Sequence, residues 1–252
     1  MNIRQAEIMR LLEERGRVAI SEIKSLFGVS EMTIRRDLTA LEEMGYATRI
    51  HGGVTARNRL FLESSFIQRE RLRVDQKKAI ARKALDLVAP GENIILDTGS
   101  TTLYLARELV RSGMVLTVAT TSLAVASTLF NSSIDVLIFG GFLRREIPDL
   151  IGPLTEKNLL EFHARKLFMG CDGVVPEEGF YTSDLNISSI EEKMVRSAEN
   201  VIVLADSTKF GRKSFVKYAG MDMVDTVITD SEVDRTVAEE LKSYGVELII
   251  AE

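Results

Sequence analysis

The chain has 252 residues, 45% of them hydrophobic and 27% charged, with a formal net charge of -5. That length suits a smaller and a larger domain, each able to bury a core, and that balance argues against a fibrous, disordered or membrane-embedded chain. The single cysteine, Cys171, excludes an internal disulfide and any multi-cysteine metal site, and suits a reducing compartment.

The opening stretch MNIRQAEIMRLLEERG carries acids inside its apolar pattern and lacks a small-residue cleavage site, so it does not read as a signal peptide. No run approaches the roughly 18 apolar residues of a membrane span. A cytoplasmic protein with no membrane partner is therefore expected. Charge is unevenly spread: the first 60 residues hold ten Lys and Arg against eight Asp and Glu, and the remainder carries the acidic surplus.

In chain order, Ile8, Leu11 and Leu12 at i, i+3, i+4 predict a first helix stopped by Gly16. Ser21 is expected to cap a short helix with Ile23, Leu26 and Phe27 on one side, closed by Gly28. Ser30 caps a third helix from Glu31 to about Met44, with Ile34, Leu38 and Leu41 as its buried stripe and Gly45 beyond its end. A packing helix followed by two helices across a tight turn is the trihelical core of a helix-turn-helix. Alternation from Tyr46 to Ile50 running into Gly52-Gly53 predicts a hairpin, the wing.

Residues 57–75 read as a helical or extended connector. From Lys77 the pattern becomes helices alternating with short apolar strands at about 93–97, 115–119, 136–139, 167–169, 201–205, 226–228 and 247–250. The expected fold class is α/β: an N-terminal winged helix-turn-helix (1–57), a connector (58–76) and a larger C-terminal α/β domain with a mostly parallel sheet (77–252).

Two constellations carry chemistry. On the third helix Met32, Arg36 and Thr39, flanked by Thr33 and Arg35, lie opposite the buried stripe, where a major groove would meet them. In the wing, Arg49 and His51 precede Gly52-Gly53, whose bare backbone could approach a phosphate. A solvated charged helix face and an ordinary turn are the plainer alternatives. Asp37 would repel phosphate and is expected to pair within the fold.

In the second half, the strand ending at Asp97 runs into Thr98-Gly99-Ser100-Thr101-Thr102 at the start of a helix, where free amides and hydroxyls can cradle a phosphate. The stretch lacks the Gly-Lys-Ser/Thr ending of a nucleotide loop and the dinucleotide glycine spacing. Thr121 with Ser122, Gly140-Gly141, Asp172-Gly173 and the run from Asp206 to Lys209 also follow apolar strands, and open parallel sheets bind ligands at those ends. Lys209 would supply positive charge, and Asp97 and Asp172 would accept sugar hydroxyls. Caps and turns explain such residues equally well one at a time.

Residues 30–38, SEMTIRRDL, with Leu41-Glu42, Gly45, Arg49 and His51-Gly52-Gly53, resemble the N-terminal signature of the DeoR family of bacterial transcriptional regulators. The resemblance places Ser30, Glu31, Met32, Thr33, Arg35 and Arg36 in the recognition-helix region. It extends through Lys77, DTGSTT, Gly140-Gly141 and ADSTKFGRKS, which look like the family's sugar-phosphate-sensing domain. Thr121 departs from the asparagine that many members carry. That domain type is also similar to ribose-5-phosphate isomerase, whose helix lysine and TGST loop hold phosphate; Lys77 and residues 98–101 match those features. The resemblance implies a homo-oligomeric (dimer or tetramer) repressor of a carbohydrate operon that binds operator DNA and a phosphorylated sugar effector, with no cofactor.

The rival is a sugar-phosphate isomerase with an accessory DNA-binding domain, for which Asp172, Glu191 and Lys193 could supply acid and base. Glu191-Glu192-Lys193 reads more simply as a surface charge pair on a helix, so no catalytic residue and no enzyme is expected. His51 and His163, the only histidines, are far apart, and no metal site is expected.

Overall fold

A computed structural model describes residues 3–15, 17–43, 46–50, 52–56, 66–144 and 147–252. The chain divides into two compact units, Met1–Glu63 and Ser64–Glu252. Gly16, Met44, Gly45, His51 and the 57–65 part of the expected connector lie outside the described residues.

The first unit holds α1 (Ile3–Arg15), β1 (Arg17–Ala19), α2 (Ile20–Phe27), α3 (Glu31–Glu43), β2 (Ala47–Ile50) and β3 (Gly53–Ala56). Ile8, Leu11 and Leu12 from α1, Ile23 from α2 and Ile34, Leu38 and Leu41 from α3 form one buried cluster with Val18 and Val54. Clustering three helical stripes this way removes their apolar faces from water and fixes α3 on its inner side. The sheet order is β1-β3-β2, all antiparallel. β1 was not legible as a strand, since three residues give no alternation to read.

Two local expectations are corrected. Ser21 does not cap α2; the helix begins at Ile20 with Ala19 as N-cap, because the chain leaves β1 directly into the helix. Leu26 is 56% exposed rather than packed; Ile23 is buried and Phe27 half-buried. Gly28, at φ 62°, ends α2 as expected, its amide donating to the Lys24 carbonyl at 2.9 Å.

The second unit opens with α4 (Phe66–Arg71) and α5 (Val74–Leu85). Phe66 belongs to the buried cluster of this unit, so the stretch from 66 onward is part of its body. There follow β4 (Asn93–Leu96), α6 (Ser100–Ser112), β5 (Thr117–Thr120), α7 (Leu123–Leu129), β6 (Asp135–Ile138), β7 (Phe142–Leu143), β8 (Leu150–Ile151), α8 (Pro153–Leu160) and β9 (Ala164–Met169). Then come β10 (Gly173–Val175), β11 (Gly179–Thr182), α9 (Leu185–Arg196), β12 (Ala198–Leu204), β13 (Val216–Ala219), β14 (Thr226–Asp230), α10 (Arg235–Ser243) and β15 (Glu247–Ala251).

Seven strands form one sheet in the order β15-β14-β12-β9-β4-β5-β6, every neighbouring pair parallel. Its two faces are covered by separate clusters. One centres on Ile94, Leu105, Phe168 and Ile202, the other on Ile95, Leu167, Met169 and Val203. Successive residues of β4 and β9 thus point into opposite cores, which is why these strands read as unbroken apolar runs. A smaller antiparallel sheet, β10-β11-β13, and the hairpin β7-β8 were not anticipated. No helix among the described residues is long and apolar enough to cross a membrane.

Candidate functional site

In the first unit the residues of interest sit on α3 and the wing. Ser30 precedes the helix and its Oγ accepts from the Thr33 amide at 3.3 Å, so Ser30 acts as an N-cap, and its Oγ also lies 2.9 Å from Thr33 Oγ1. Glu31 is turned onto the helix surface, where it takes two hydrogen bonds from Arg35, at 3.0 and 2.7 Å. Met32 is 76% exposed, and Arg36 is exposed beside it. An apolar side chain left in water at the first turn of a helix, with an arginine one turn on, has nothing within the described fold to gain from that position.

Asp37 points the other way. It is buried, accepting from Arg4 Nε at 2.5 Å and from Gln5 Nε2 at 3.1 Å, which ties α3 to α1. Arg49, on β2, donates through its guanidinium to the Arg35 carbonyl and to Thr39 Oγ1, and its amide donates to Glu42 Oε1 at 3.2 Å. In this arrangement Arg49 fastens the wing to α3. Gly53 has a packing reason to be glycine: a Cβ there would stand 2.9 Å from the Val18 carbonyl oxygen of β1. Gly52 is exposed at φ 74°, at the tip of the turn.

In the second unit, parallel pairing puts all seven strand carboxyl ends on one edge. Chain order runs outward from β4 through β5 to β6 on one side, and β9 lies on the other, so the topological switch point falls between β4 and β9. Asp97, directly after β4, spans that point: its Oδ2 accepts from the Gly170 amide, just past β9, at 3.2 Å. Burial raises its carboxyl to about 6, with Asp149 adding to the rise and the Gly170 and Thr98 amides opposing it.

The turn after β4 is internally braced. Thr102 Oγ1 donates to the Asp97 carbonyl at 2.7 Å and accepts from the Gly99 amide at 2.9 Å, so this hydroxyl shapes the turn. Thr98 Oγ1 meets Thr121 Oγ1 at 3.1 Å, bringing the ends of β4 and β5 together. Ser122 caps α7 through the Val125 amide at 3.3 Å. Ser100 and Thr101 open α6, whose first-turn amides have no helical carbonyl to reach. Gly141 has a packing reason to be glycine: a Cβ would lie 2.1 Å from Thr155 Oγ1 and 2.5 Å from the Ile151 carbonyl oxygen.

Cations gather at the same edge. Lys77 is buried and donates to the Arg69 carbonyl and, at 2.8 Å, to the Leu72 carbonyl. Burial lowers it to about 8, and the nearby charges of Lys209 and Arg69 act in the same direction while Asp206 opposes them. Asp172 draws Arg69 to 3.5 Å and Lys209 to 4.0 Å, and accepts from the Ser183 amide and hydroxyl at 2.9 and 2.8 Å. Arg73 holds the α4–α5 corner in place, reaching Asp206 and Asp230 at 3.5 Å and Glu232 at 3.0 Å. Its backbone sits at φ 51°, a left-handed conformation costing about 1–2 kcal/mol that three acidic partners help sustain.

Sequence reasoning missed three residues here, Arg69, Arg73 and Arg144, and misread a fourth, Glu191. Arg69 and Arg73 precede the expected Lys77 at intervals of four, a cationic spacing that could have been read. Arg144, just after β7, is clamped by Asp149 at 2.5 and 2.6 Å and by Asp184 at 2.6 Å, and its charge is felt by Asp97. Nothing local marks it, since one partner is forty residues on. Glu191 is the correction to a surface charge pair: it is buried on α9 with Ile190, Met194 and Val195, while Glu192 pairs with Arg196 at 2.7 Å and Lys193 with Glu156 at 3.0 Å. A helical wheel places it between Met194 and Val195 on the inner face. Burial and the neighbouring Asp97 and Asp172 hold its carboxyl well above the usual range.

Cys171 is half-buried and packs against the core, and burial pushes its thiol up. Among the described residues no group of three or more His, Cys, Asp and Glu could hold a metal ion.

The profile of the DeoR-like helix-turn-helix domain matches residues 4–59, and that of the DeoR C terminal sensor domain matches residues 72–231. The HTH-type transcriptional regulator GlpR of Haloferax volcanii is 33% identical over 98% of this chain and 96% of its own length. The lactose phosphotransferase system repressor of Streptococcus mutans is 31% identical over 92% of each chain. Among solved structures, ribose 5-phosphate isomerase A of Methanocaldococcus jannaschii overlaps 54% of each chain at 21% identity, with a TM-score of 0.41. With both domain profiles matched and the sequence relatives aligned nearly end to end as transcriptional regulators, the chain belongs to the DeoR family and is a regulator of transcription and not an enzyme.

Proposed function

We propose that this regulator represses a carbohydrate catabolic operon, and that a phosphorylated sugar bound at the switch-point edge of the second unit modulates its hold on operator DNA. The observation that carries this reading is the convergence of Arg69, Lys77 and Lys209 with the first turn of α6 beside Asp97 and Asp172. Cations and free amides suit a phosphate, and the carboxylates suit hydroxyls. An uncharged sugar or a free phosphate would use only half of that arrangement.

On the DNA side, Met32, Thr33 and Arg36 would meet base edges, with Ser30, Glu31 and Arg35 at the helix start and Arg49, His51, Gly52 and Gly53 in the wing near the backbone. A two-fold operator requires paired copies, so the working form is a homo-oligomer. The relatives' printed names, a lactose phosphotransferase repressor among them, support a carbohydrate operon.

The test is binding of the purified chain to the DNA immediately upstream of its own gene cluster, titrated with a panel of hexose, pentose and polyol phosphates. Specific binding released by one member is the expected result. Specific binding that no member of the panel alters would refute the sensing half of the reading.

A further inference from the structure

We propose that Glu191 reads the sugar portion of the effector, its carboxyl hydrogen-bonding a hydroxyl or carbonyl oxygen at the end of the molecule away from the phosphate. This rests on the crevice reading above and adds to it a residue and an orientation.

Glu191 is only 6% exposed, yet its Oε2 has no hydrogen-bond partner among the described residues. Its two acidic neighbours are provided for. Asp97 takes the Gly170 amide, and Asp172 takes Ser183 twice and lies against Arg69 and Lys209. Glu191 approaches them from the α9 side with Thr182 against it, and the charge of Arg144 reaches it. A buried glutamate, facing two other carboxyls and holding one oxygen without a partner, is a poor solution to packing. Leucine, of similar size and with no polar atom, would cost the fold less.

Burial and the neighbouring acids favour the protonated form of this carboxyl, which offers one donor and one acceptor. Such a group matches a hydroxyl or a carbonyl oxygen and gives no attraction to a phosphate. Lys77 on α5 and Lys209 after β12 carry the charge that attracts a phosphate, whereas Glu191 on α9 carries none that would. The effector therefore lies with its phosphate toward the cations and its polyhydroxyl end toward α9.

The experiment uses the full chain and two variants, Glu191→Leu and Glu191→Gln. Each is measured by thermal unfolding without added compound, by operator affinity, and by binding of inorganic phosphate and of the sugar phosphate that releases the wild-type chain from DNA. The expected result is a Tm equal to or above wild type, unchanged operator and inorganic phosphate affinity, and sugar-phosphate affinity reduced on the order of tenfold to a hundredfold in Glu191→Leu. Glu191→Gln, which keeps a donor and an acceptor, falls between. Wild-type sugar-phosphate affinity in either folded variant overturns the proposal while leaving the crevice reading intact. A lowered Tm in both variants, with phosphate and sugar phosphate weakened alike, also overturns it, because that is how a structural residue behaves. If the wild-type chain binds no sugar phosphate at all, the crevice reading falls and this assignment falls with it.

Discussion

The two units place their working residues on opposite sides of the folding problem. On α3 the proposed reading residues Met32 and Arg36 are in water, and the helix is held from its other face by Ile34, Leu38, Leu41 and the buried Asp37. At the switch point of the second unit the proposed ligand residues are themselves buried: Asp97, Asp172, Lys77 and Glu191. A surface site can change its specificity without touching the core. A buried polar site cannot, because each group there is also a term in the stability of the fold.

Substitutions should therefore separate the two regions, and those with the largest effect on folding lie in the second. Asp149→Ala strips Arg144 of its closest partner in a site where the carboxyl is fully buried, and should cost about 3–5 kcal/mol by urea unfolding. A loss under about 1 kcal/mol would mean that Asp184 alone suffices for Arg144.

Asp97 gives the pH dependence. Its carboxyl is raised to about 6, so between about pH 4 and 6 the folded chain keeps a proton that the unfolded chain has released. The stability this group contributes is present in full below pH 4 and is lost as pH rises through 6, a change of about 3 kcal/mol. Asp97→Asn should remove that component from the pH profile of unfolding, and an unchanged profile would show that the carboxyl is not the group responsible.

Gly141→Ala drives a methyl into Thr155 and the Ile151 carbonyl, and should destabilise by about 1–3 kcal/mol. Operator affinity measured on the folded fraction should stay as it was; a selective loss of effector binding at wild-type stability would instead make Gly141 a ligand contact. Arg36→Ala completes the contrast. Stability should move by no more than about 0.5 kcal/mol, while operator binding weakens by about 1–3 kcal/mol. Should the salt slope of binding fall by about one with equal weakening on every sequence, Arg36 holds a phosphate and not a base edge.

Legibility in the sequence followed the range of the interactions. The α3 stripe and its Ser30 cap are local, and both stand where the spacing put them. The seven parallel strands showed because both of their faces are apolar, even though several boundaries moved by a few residues. What stayed hidden depends on pairing across the chain. β11 meets β13 through Phe180 and Ala219, Arg144 meets Asp184, and Arg73 meets Asp230. Glu191 was misread for a different reason: a run of three charges looks solvated unless each is placed on the helix separately.

The pairing distances also order events on the ribosome. Unit 1 closes its sheet within a short span, Arg17 against Thr55, whereas the centre of the large sheet needs Ile94 beside Lys166. Near contacts form fast and distant ones wait for their partners to be made. Roughly 190 residues separate the end of unit 1 from the end of β15, about 10–40 s of synthesis at about 5–20 residues per second. For that interval a nascent chain carries a finished α3 and an incomplete large sheet, so a ligand of its strand ends would have no site to enter.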